Sequence, residues 1–203
     1  MQSGDPEGRS YPASSITEFS YSKKNCGIIP LSTKNYWVYQ DSIFNNGVFV
    51  KVQYDTLRFT STWKSQTDGF VWWKSSISIG LPSMLYASDS AIFGLDNRFF
   101  SPDYKDVKKG FFLFEGESYQ FLANFNDVAA QGQSYKLQYD IINPAGTFKD
   151  CIFSEKNARG YRKEQLYFKP GIGVMKYILE KATMGSFTLK VQQISTLVAF
   201  HIE

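Results

Sequence analysis

The sequence predicts an all-β fold with minor helix, built from antiparallel strands in a strongly curved sheet that forms a half-barrel or a barrel. A β-sandwich is the alternative. Apolar and polar residues alternate along much of the chain, and short turn signals separate the alternating runs. Aromatic residues make up 17% of the chain, with 18 Phe and 13 Tyr, residue types that favour strands. We expect about eight to ten strands at short spacing.

The composition predicts a folded protein. Of the 203 residues, 43% are hydrophobic, and a net charge of +3 is too small for intrinsic disorder. Basic and acidic residues nearly cancel, which argues against nucleic-acid binding, and no apolar run reaches the roughly 18 residues of a membrane helix. Residues 1–25 are rich in Ser, Gly and Pro and are predicted to be a flexible leader. Residues 26–203 are predicted to form a single antiparallel β domain.

Three hairpins are predicted in the first two thirds of the chain. The first joins residues 36–39 to residues 48–55 through Asn46-Gly47, a pair that adopts positive φ at low cost. The second has its turn at Asp68-Gly69. The third is expected to join residues 111–114 to residues 119–125. Residues 84–93 and 103–109 are each expected to form a turn or two of helix.

The last third has equally clear signals. Alternation from residue 135 to residue 141 predicts a strand with one apolar face, followed by a turn at residues 143–146. Residues 174–182 fit a helix or a strand, and the glycine that follows favours a hairpin strand. The apolar phase reverses at Gln192-Gln193, which predicts a β-bulge because one extra residue exchanges the two faces.

Three segments in order resemble a known group of proteins. Residues 29–39 read IPLSTKNYWVY, residues 143–151 read NPAGTFKDC, and residues 167–176 read YFKPGIGVMK. Together they resemble exported lipoproteins of unknown function from Bacteroidota-type bacteria, over roughly residues 28–200. The chain departs from that pattern where Ser32-Thr33-Lys34 replaces a glycine, and the lipobox cysteine is expected upstream.

The resemblance implies an extracytoplasmic β-protein with a lipoprotein-carrier-like curved sheet, located in the periplasm or at the outer membrane. A lipid anchor upstream of residue 1 would follow from it, whereas a cytoplasmic location is the alternative from composition alone. Cys26 and Cys151 are either two free buried thiols or a disulfide, and export favours the disulfide. The group supplies no catalytic residues.

Aromatic side chains are the candidate ligand-binding residues. Adjacent Trp72 and Trp73 point to opposite sides of a strand, so one of them is expected to face away from the core or to line a cavity. An aromatic platform stacks on sugar rings or lines an apolar pocket, although core packing is the more ordinary use of such residues. The predicted binding residues are Trp63, Trp72, Trp73, Tyr36 and Trp37.

Side chains suited to catalysis are scarce. His201 is the one histidine and lies near the end of the chain, where an exposed imidazole is expected. Glu115 and Glu117 could flank a glycosidic bond, but they also fit a charged turn tip. Gly171 and Gly173 lack the third glycine of a dinucleotide site and predict a backbone turn. Neither a cofactor nor a metal is expected, since Asp103 and Asp106 have too few companions.

We therefore expect a non-catalytic, exported protein of the cell envelope. It would bind an apolar or glycan ligand, or an envelope protein, on an aromatic-lined face. One alternative is a hydrolase of polysaccharides that uses the carboxylates of Glu115 and Glu117. The other is a structural component of the envelope with no small ligand.

Overall fold

The structure is a computed structural model that describes residues 6, 8–19, 27–89, 91–98, 101–112, 119–125, 128–183 and 185–203. Almost all regular structure in these ranges is β, and the one helical element is a single 3₁₀ turn, Ala13–Ser15. None of the helical structure in the described parts is long and apolar enough to span a membrane.

Eight strands lie in the first 112 residues. They are β1 (Ser10–Pro12), β2 (Ile16–Glu18), β3 (Tyr36–Asn45), β4 (Val48–Ser65), β5 (Val71–Ser75), β6 (Met84–Ala87), β7 (Ala91–Arg98) and β8 (Ser101–Phe112). The two predicted helical segments are wrong, because residues 84–93 lie mostly on β6 and β7, and residues 103–109 lie on β8. Pairing with neighbouring strands prevails there over a weak local preference for helix.

Eight more strands lie in the second half. They are β9 (Tyr119–Phe125), β10 (Val128–Lys136), β11 (Ile141–Asn143), β12 (Gly146–Phe148), β13 (Ile152–Ala158), β14 (Arg162–Lys169), β15 (Gly173–Ala182) and β16 (Leu189–His201). The described residues thus hold more strands than the sequence predicted, and the excess consists largely of pieces of three to five residues.

Fourteen strands form one antiparallel sheet that curls into a half-barrel, which confirms the predicted fold class. The order is β1-β8-β7-β6-β5-β4-β3-β16-β15-β14-β13-β10-β9, with β2 paired to β4 beside that path. β11 and β12 make a separate two-stranded hairpin across Asn143 and Gly146, as predicted. Because the sheet curls, one of its faces points inward, and the main hydrophobic core lies on that face.

Local turn signals were mostly reliable. The hairpin between β3 and β4 turns at Asn46 and Gly47, whose φ values of 52° and 82° are the positive values that a two-residue hairpin turn requires. Residues 174–182 belong to strand β15, as favoured. The predicted bulge is confirmed, because Leu179 pairs with Gln193 and Glu180 with Val191, which leaves Gln192 as the extra residue.

The third predicted hairpin is wrong. β8 pairs with β1 and β7 near one end of the sheet, whereas β9 pairs with β10 at the other end. The charged segment of residues 113–118, which was predicted as its turn, lies outside the described residues. Ten strands therefore lie between β8 and β9 in the order of the sheet, although the two are adjacent in sequence.

The predicted strand from residue 135 to residue 141 is divided. β10 ends at Lys136 and β11 begins at Ile141, and the Leu137 N–H donates to the Cys151 carbonyl at 2.8 Å between them. Leu137 is buried, but Tyr139 is 58% exposed. Apolar and polar residues do alternate in this segment. The chain nevertheless leaves the sheet after Lys136, so Tyr135 and Tyr139 do not both face the core.

Residues within the predicted leader contribute to the sheet. β1 pairs with β8, and β2 pairs with β4. Tyr11 on β1 is only 1% exposed and belongs to a hydrophobic cluster. Residues 10–18 are thus part of the same sheet as the rest of the chain, while the domain boundary proposed at residue 26 stays a prediction.

Two hydrophobic clusters lie on opposite faces of β5. Trp73 belongs to the main cluster with Trp37 and Phe59, and Trp72 belongs to the second cluster with Tyr11 and Phe93. Trp72 does point away from the main core, as predicted, but it lines no open surface, since both indoles are fully buried. Strands β1 and β2 complete the wall that covers Trp72, a contact between residues about sixty positions apart.

Candidate functional site

The part of the molecule that stands out is the outer half of the β3–β4 hairpin, which we call the arm (residues 42–54). β4 is 18 residues long, but β5 pairs with it only from Phe59 to Lys64. From Val48 to Asp55 it pairs with β3 alone among the described residues. The arm therefore extends past the neighbouring strand β5 and is open on that side within the described structure.

Large hydrophobic side chains on the arm face solvent. The exposed fractions are 69% for Val48, 56% for Phe49, 55% for Val50, 43% for Val52 and 65% for Tyr54. A single exposed apolar residue is ordinary, but five within seven positions make a patch of exposed apolar surface that covers both faces of the arm. Such a patch on a soluble surface is typical of a site that contacts a partner or a membrane.

The end of the arm, which we call the tip (residues 46–50), is anchored to the sheet. The Gly47 N–H donates to the Val191 carbonyl on β16 at 3.2 Å. The rings of Phe44 and Phe49 meet edge to face with centroids 5.9 Å apart. The first contact holds the turn against β16, and the second joins the two strands of the hairpin, so the apolar side chains of the tip are presented on a defined surface.

Two lysines lie next to the tip, and a third lies on the neighbouring strand β15. Lys51 is exposed on the arm itself, and exposed Lys190 lies beside the turn, with its Cδ 3.5 Å from where a Cβ on Gly47 would be. Lys181 pairs directly with Lys190 across β15 and β16. Two like charges opposite each other on a sheet destabilise it slightly, so their presence favours an anionic partner. The nearby Glu180 is engaged by Lys163.

The inward face of the arm's base carries a buried carboxyl. Asp41 is 1% exposed and pairs with Gln53 on β4 and Ser195 on β16. Burial raises the pKa of Asp41 to about 6, and the neighbouring carboxylate of Asp55 adds to that rise. Hydrogen bonds from Ser195 and Gln193 act in the opposite direction. The Oδ1 atom of Asp41 has no hydrogen-bond partner among the described residues.

A second charged group lies further along the inward face. Glu164 on β14 is contacted by Lys156 Nζ at 3.3 Å and more closely by the Arg162 guanidinium. Burial would raise the pKa of Glu164, but the two cations outweigh it and hold the pKa below its usual range. The Phe125 ring lies under both cations, 5.6 Å from Lys156 Nζ and 5.0 Å from Arg162 Cζ. This charge-compensated carboxylate suits a structural role.

The predicted binding residues are mostly internal. Trp37, Trp72 and Trp73 are at most 1% exposed, and the Trp37 indole N–H donates to the Ile172 carbonyl at 2.8 Å. Tyr36 is half-buried between His201, which stacks on it at 5.6 Å, and Arg58. Half-buried Trp63 packs against the second cluster. Their role in binding stays a prediction, and the structure distributes the four tryptophans between two hydrophobic clusters on opposite faces of β5.

The sequence contained the signal for the arm. Both alternating sets of residues 48–54 include large apolar side chains, whereas a half-buried strand needs them on one face only. What the sequence alone could not provide is the absence of a covering strand, since that depends on where β5 ends. The arm was therefore predicted as a hairpin but missed as a surface.

The remaining candidates have ordinary surroundings. His201 is exposed, as expected, and Gly171 and Gly173 form a turn with φ values of 77° and 133°. Cys151 is buried and is not bonded to any described cysteine, and burial raises the pKa of its thiol to about 11. Cys26, Glu115 and Glu117 lie outside the described residues, so the disulfide and the carboxylate pair stay predictions. The described residues contain no group of three or more acidic, His or Cys side chains that could hold a metal ion.

Comparisons with known proteins find little. No family model matches the chain, and no curated protein matches it. Among solved structures, a putative lipoprotein from Parabacteroides distasonis aligns with 87% of this chain and 100% of its own. That pair shares 9% sequence identity and a TM-score of 0.41.

Proposed function

We propose that this chain is a non-catalytic, exported protein of the cell envelope that attaches to an anionic bilayer surface through the tip of its arm. The observation that carries the proposal is the exposed apolar tip, Val48, Phe49 and Val50, with Lys51 and Lys190 beside it. Apolar side chains that enter the boundary between headgroups and acyl chains, flanked by lysines, are the usual features of interfacial attachment.

The energetics favour lipid over water for this tip. Full burial of a Val or Phe side chain stabilises by about 1.5–3 kcal/mol, and a Lys near an anionic surface contributes about 1 kcal/mol. Three apolar side chains and two or three lysines therefore give a reversible attachment. The tip is already ordered against β16, so little conformational entropy is lost when it inserts.

The three segments around Trp37, Phe148 and Gly171 resemble segments of exported lipoproteins, and this resemblance supports export. An acyl chain upstream would be one membrane attachment, and the tip would be a second. Stable anchoring generally needs two such signals, because a single acyl chain binds only marginally. The proposed role needs no catalytic residue.

Flotation with lipid vesicles tests the proposal. We expect wild-type protein to float with vesicles that contain phosphatidylglycerol and to remain below vesicles of phosphatidylcholine alone, because the lysines favour anionic lipid. The variant Val48→Thr/Phe49→Thr/Val50→Thr keeps β-forming residues but removes apolar surface, so its affinity should fall at least about tenfold. High salt should weaken wild-type flotation.

A matched control separates the tip from general hydrophobicity. Val128, Tyr139 and Ile142 are 39%, 58% and 80% exposed and lie far along the sequence from the arm. Their triple change to Thr should leave flotation unaltered. Equal flotation of the wild type and the tip variant would exclude the tip as the attachment site.

A further inference from the structure

One edge of β4 is open beside the arm. On the side opposite β3, pairing with β5 begins only at Phe59. Ser76, which follows β5, occupies the edge of β4 at Thr56 and Arg58. Its N–H donates to the Arg58 carbonyl at 2.9 Å, and its hydroxyl donates to the Thr56 carbonyl at 2.9 Å. Within the described part of the chain, nothing pairs with this edge from Val48 to Asp55.

The direction of the free backbone groups follows from those contacts. Arg58 and Thr56 point their carbonyls toward Ser76, which is away from β3. Residues two apart in an antiparallel strand direct their N–H and C=O groups to the same side. Tyr54 and Val52 therefore point two donors and two acceptors outward from the sheet.

This edge lacks the features that usually protect one. Natural edge strands are kept apart by proline, by runs of charge or by a covering element. Here the residues from 48 to 54 include three valines and Tyr54, all strong strand formers, and Lys51 is the only charged residue among them. The edge is suited to accept another strand.

We infer that the occupant is a second copy of this chain, paired antiparallel along residues 51–55 with the two-fold axis between the two Gln53 residues. In this register Val52 of each copy exchanges both backbone hydrogen bonds with Tyr54 of the other. Lys51 of each copy lies directly opposite Asp55 of the other, so two opposite-charge pairs form on one face. The dimer extends one curled sheet into the next.

Charge selects that register from its neighbours. An axis at Lys51 would place two lysines opposite each other, and an axis at Asp55 would place two carboxylates together, both of which are unfavourable. An axis at Val52 or at Tyr54 pairs Gln53 with Lys51 or with Asp55 and makes no opposite-charge pair. The axis at Gln53 is the one that matches Lys51 to Asp55.

Cysteine cross-linking tests the register directly. Gln53 would meet its counterpart as a pair without mutual hydrogen bonds, with Cα atoms about 4.5 Å apart, which suits a disulfide. The full chain carrying Cys26→Ser and Gln53→Cys should form disulfide dimers under mild oxidation. Gln40→Cys in the same background is the control, since Gln40 lies on β3, which is covered on both sides by β4 and β16.

Equal cross-linking of the two cysteine variants, or a wild-type chain that sediments as a monomer throughout the micromolar range, would overturn the inference. A second measurement uses charge. Lys51→Glu and Asp55→Lys should each weaken dimerisation at least about tenfold, and the double exchange should restore it. Failure of the double exchange to restore a dimer, with circular dichroism unchanged, would also overturn it.

The inference shares Lys51 with membrane attachment but can be tested separately, because it uses the backbone edge of residues 51–55, whereas attachment uses the apolar side chains of the tip. A monomer that still floats with anionic vesicles would reject the dimer and leave the proposed function standing. A dimer that fails to float would reject membrane attachment and leave the inferred dimer standing.

Discussion

Changing Glu164 to Gln is expected to lower the free energy of unfolding by about 2–4 kcal/mol at pH 7. Glu164 is 8% exposed at its side chain and compensates Lys156 and Arg162, which retain exposures of 23% and 28%. Without the carboxylate, two half-buried cations lie beside each other over Phe125. The partial exposure of the cations places the loss below that of a fully buried pair.

Urea unfolding of the variant and of a matched control measures this loss. Glu155→Gln is the control, because Glu155 lies on the neighbouring strand β13 and accepts a hydrogen bond from Gln165 at 2.8 Å but is half-buried. It should cost no more than about 1 kcal/mol. If both variants lose the same amount, Glu164 has no special role in the interior.

The pH dependence of the Glu164 effect has a defined sign. The pKa of Glu164 is lowered in the folded state, so its stabilisation is present above the unfolded value of 4.5 and is lost as pH falls through the folded pKa. The difference between wild type and Glu164→Gln should therefore shrink in acid. A difference that stays constant down to pH 2 would contradict the ionic origin of the effect.

Changing Asp41 to Asn is expected to stabilise the protein at neutral pH, in contrast to the Glu164 variant. The folded pKa of Asp41 is raised from 3.8 to about 6, so the folded state holds this proton more tightly than the unfolded state does. The carboxyl's contribution is fully present below pH 3.8 and is lost as pH rises through 6.

Urea unfolding between pH 4 and pH 8 measures this dependence. The stability of Asp41→Asn relative to wild type should grow by about 2 kcal/mol between pH 4 and pH 7 and level off above pH 7. Asp68→Asn should instead be less stable than wild type across this pH range and should lose that deficit only below pH 4, because Tyr11, Phe70, Ser65 and Arg9 hold the pKa of Asp68 below its usual value despite burial. A relative stability of Asp41→Asn that does not vary with pH would show that this carboxyl is not buried as described.

Local chemistry explains why much of the fold could be predicted. Asn46-Gly47 determines a two-residue turn, and the phase reversal at Gln192 marks a bulge, since both depend on residues adjacent in sequence. Alternation likewise predicted the strands and the curved antiparallel sheet. These are features in which side-chain pattern and backbone geometry constrain each other within a few positions.

Pairing between distant segments explains what was missed. The placement of β8 and β9 at opposite ends of the sheet depends on strands far away in sequence, which the turn-like residues between them do not encode. Trp72 is buried because β1 and β2 return to the sheet. The arm is exposed because β5 pairs with β4 only beyond Phe59. Each of these outcomes is set by partners and not by the segment itself.

The most direct test of membrane attachment is the depth of the tip in a bilayer. A nitrobenzoxadiazole probe on Phe49→Cys, in a Cys26→Ser chain where Cys151 is buried, should be quenched by nitroxides placed just below the phosphatidylglycerol headgroups. The same probe on Tyr139→Cys should be accessible only to quenchers in water. If both probes respond solely to aqueous quenchers, the tip does not enter the membrane and the proposed function is wrong.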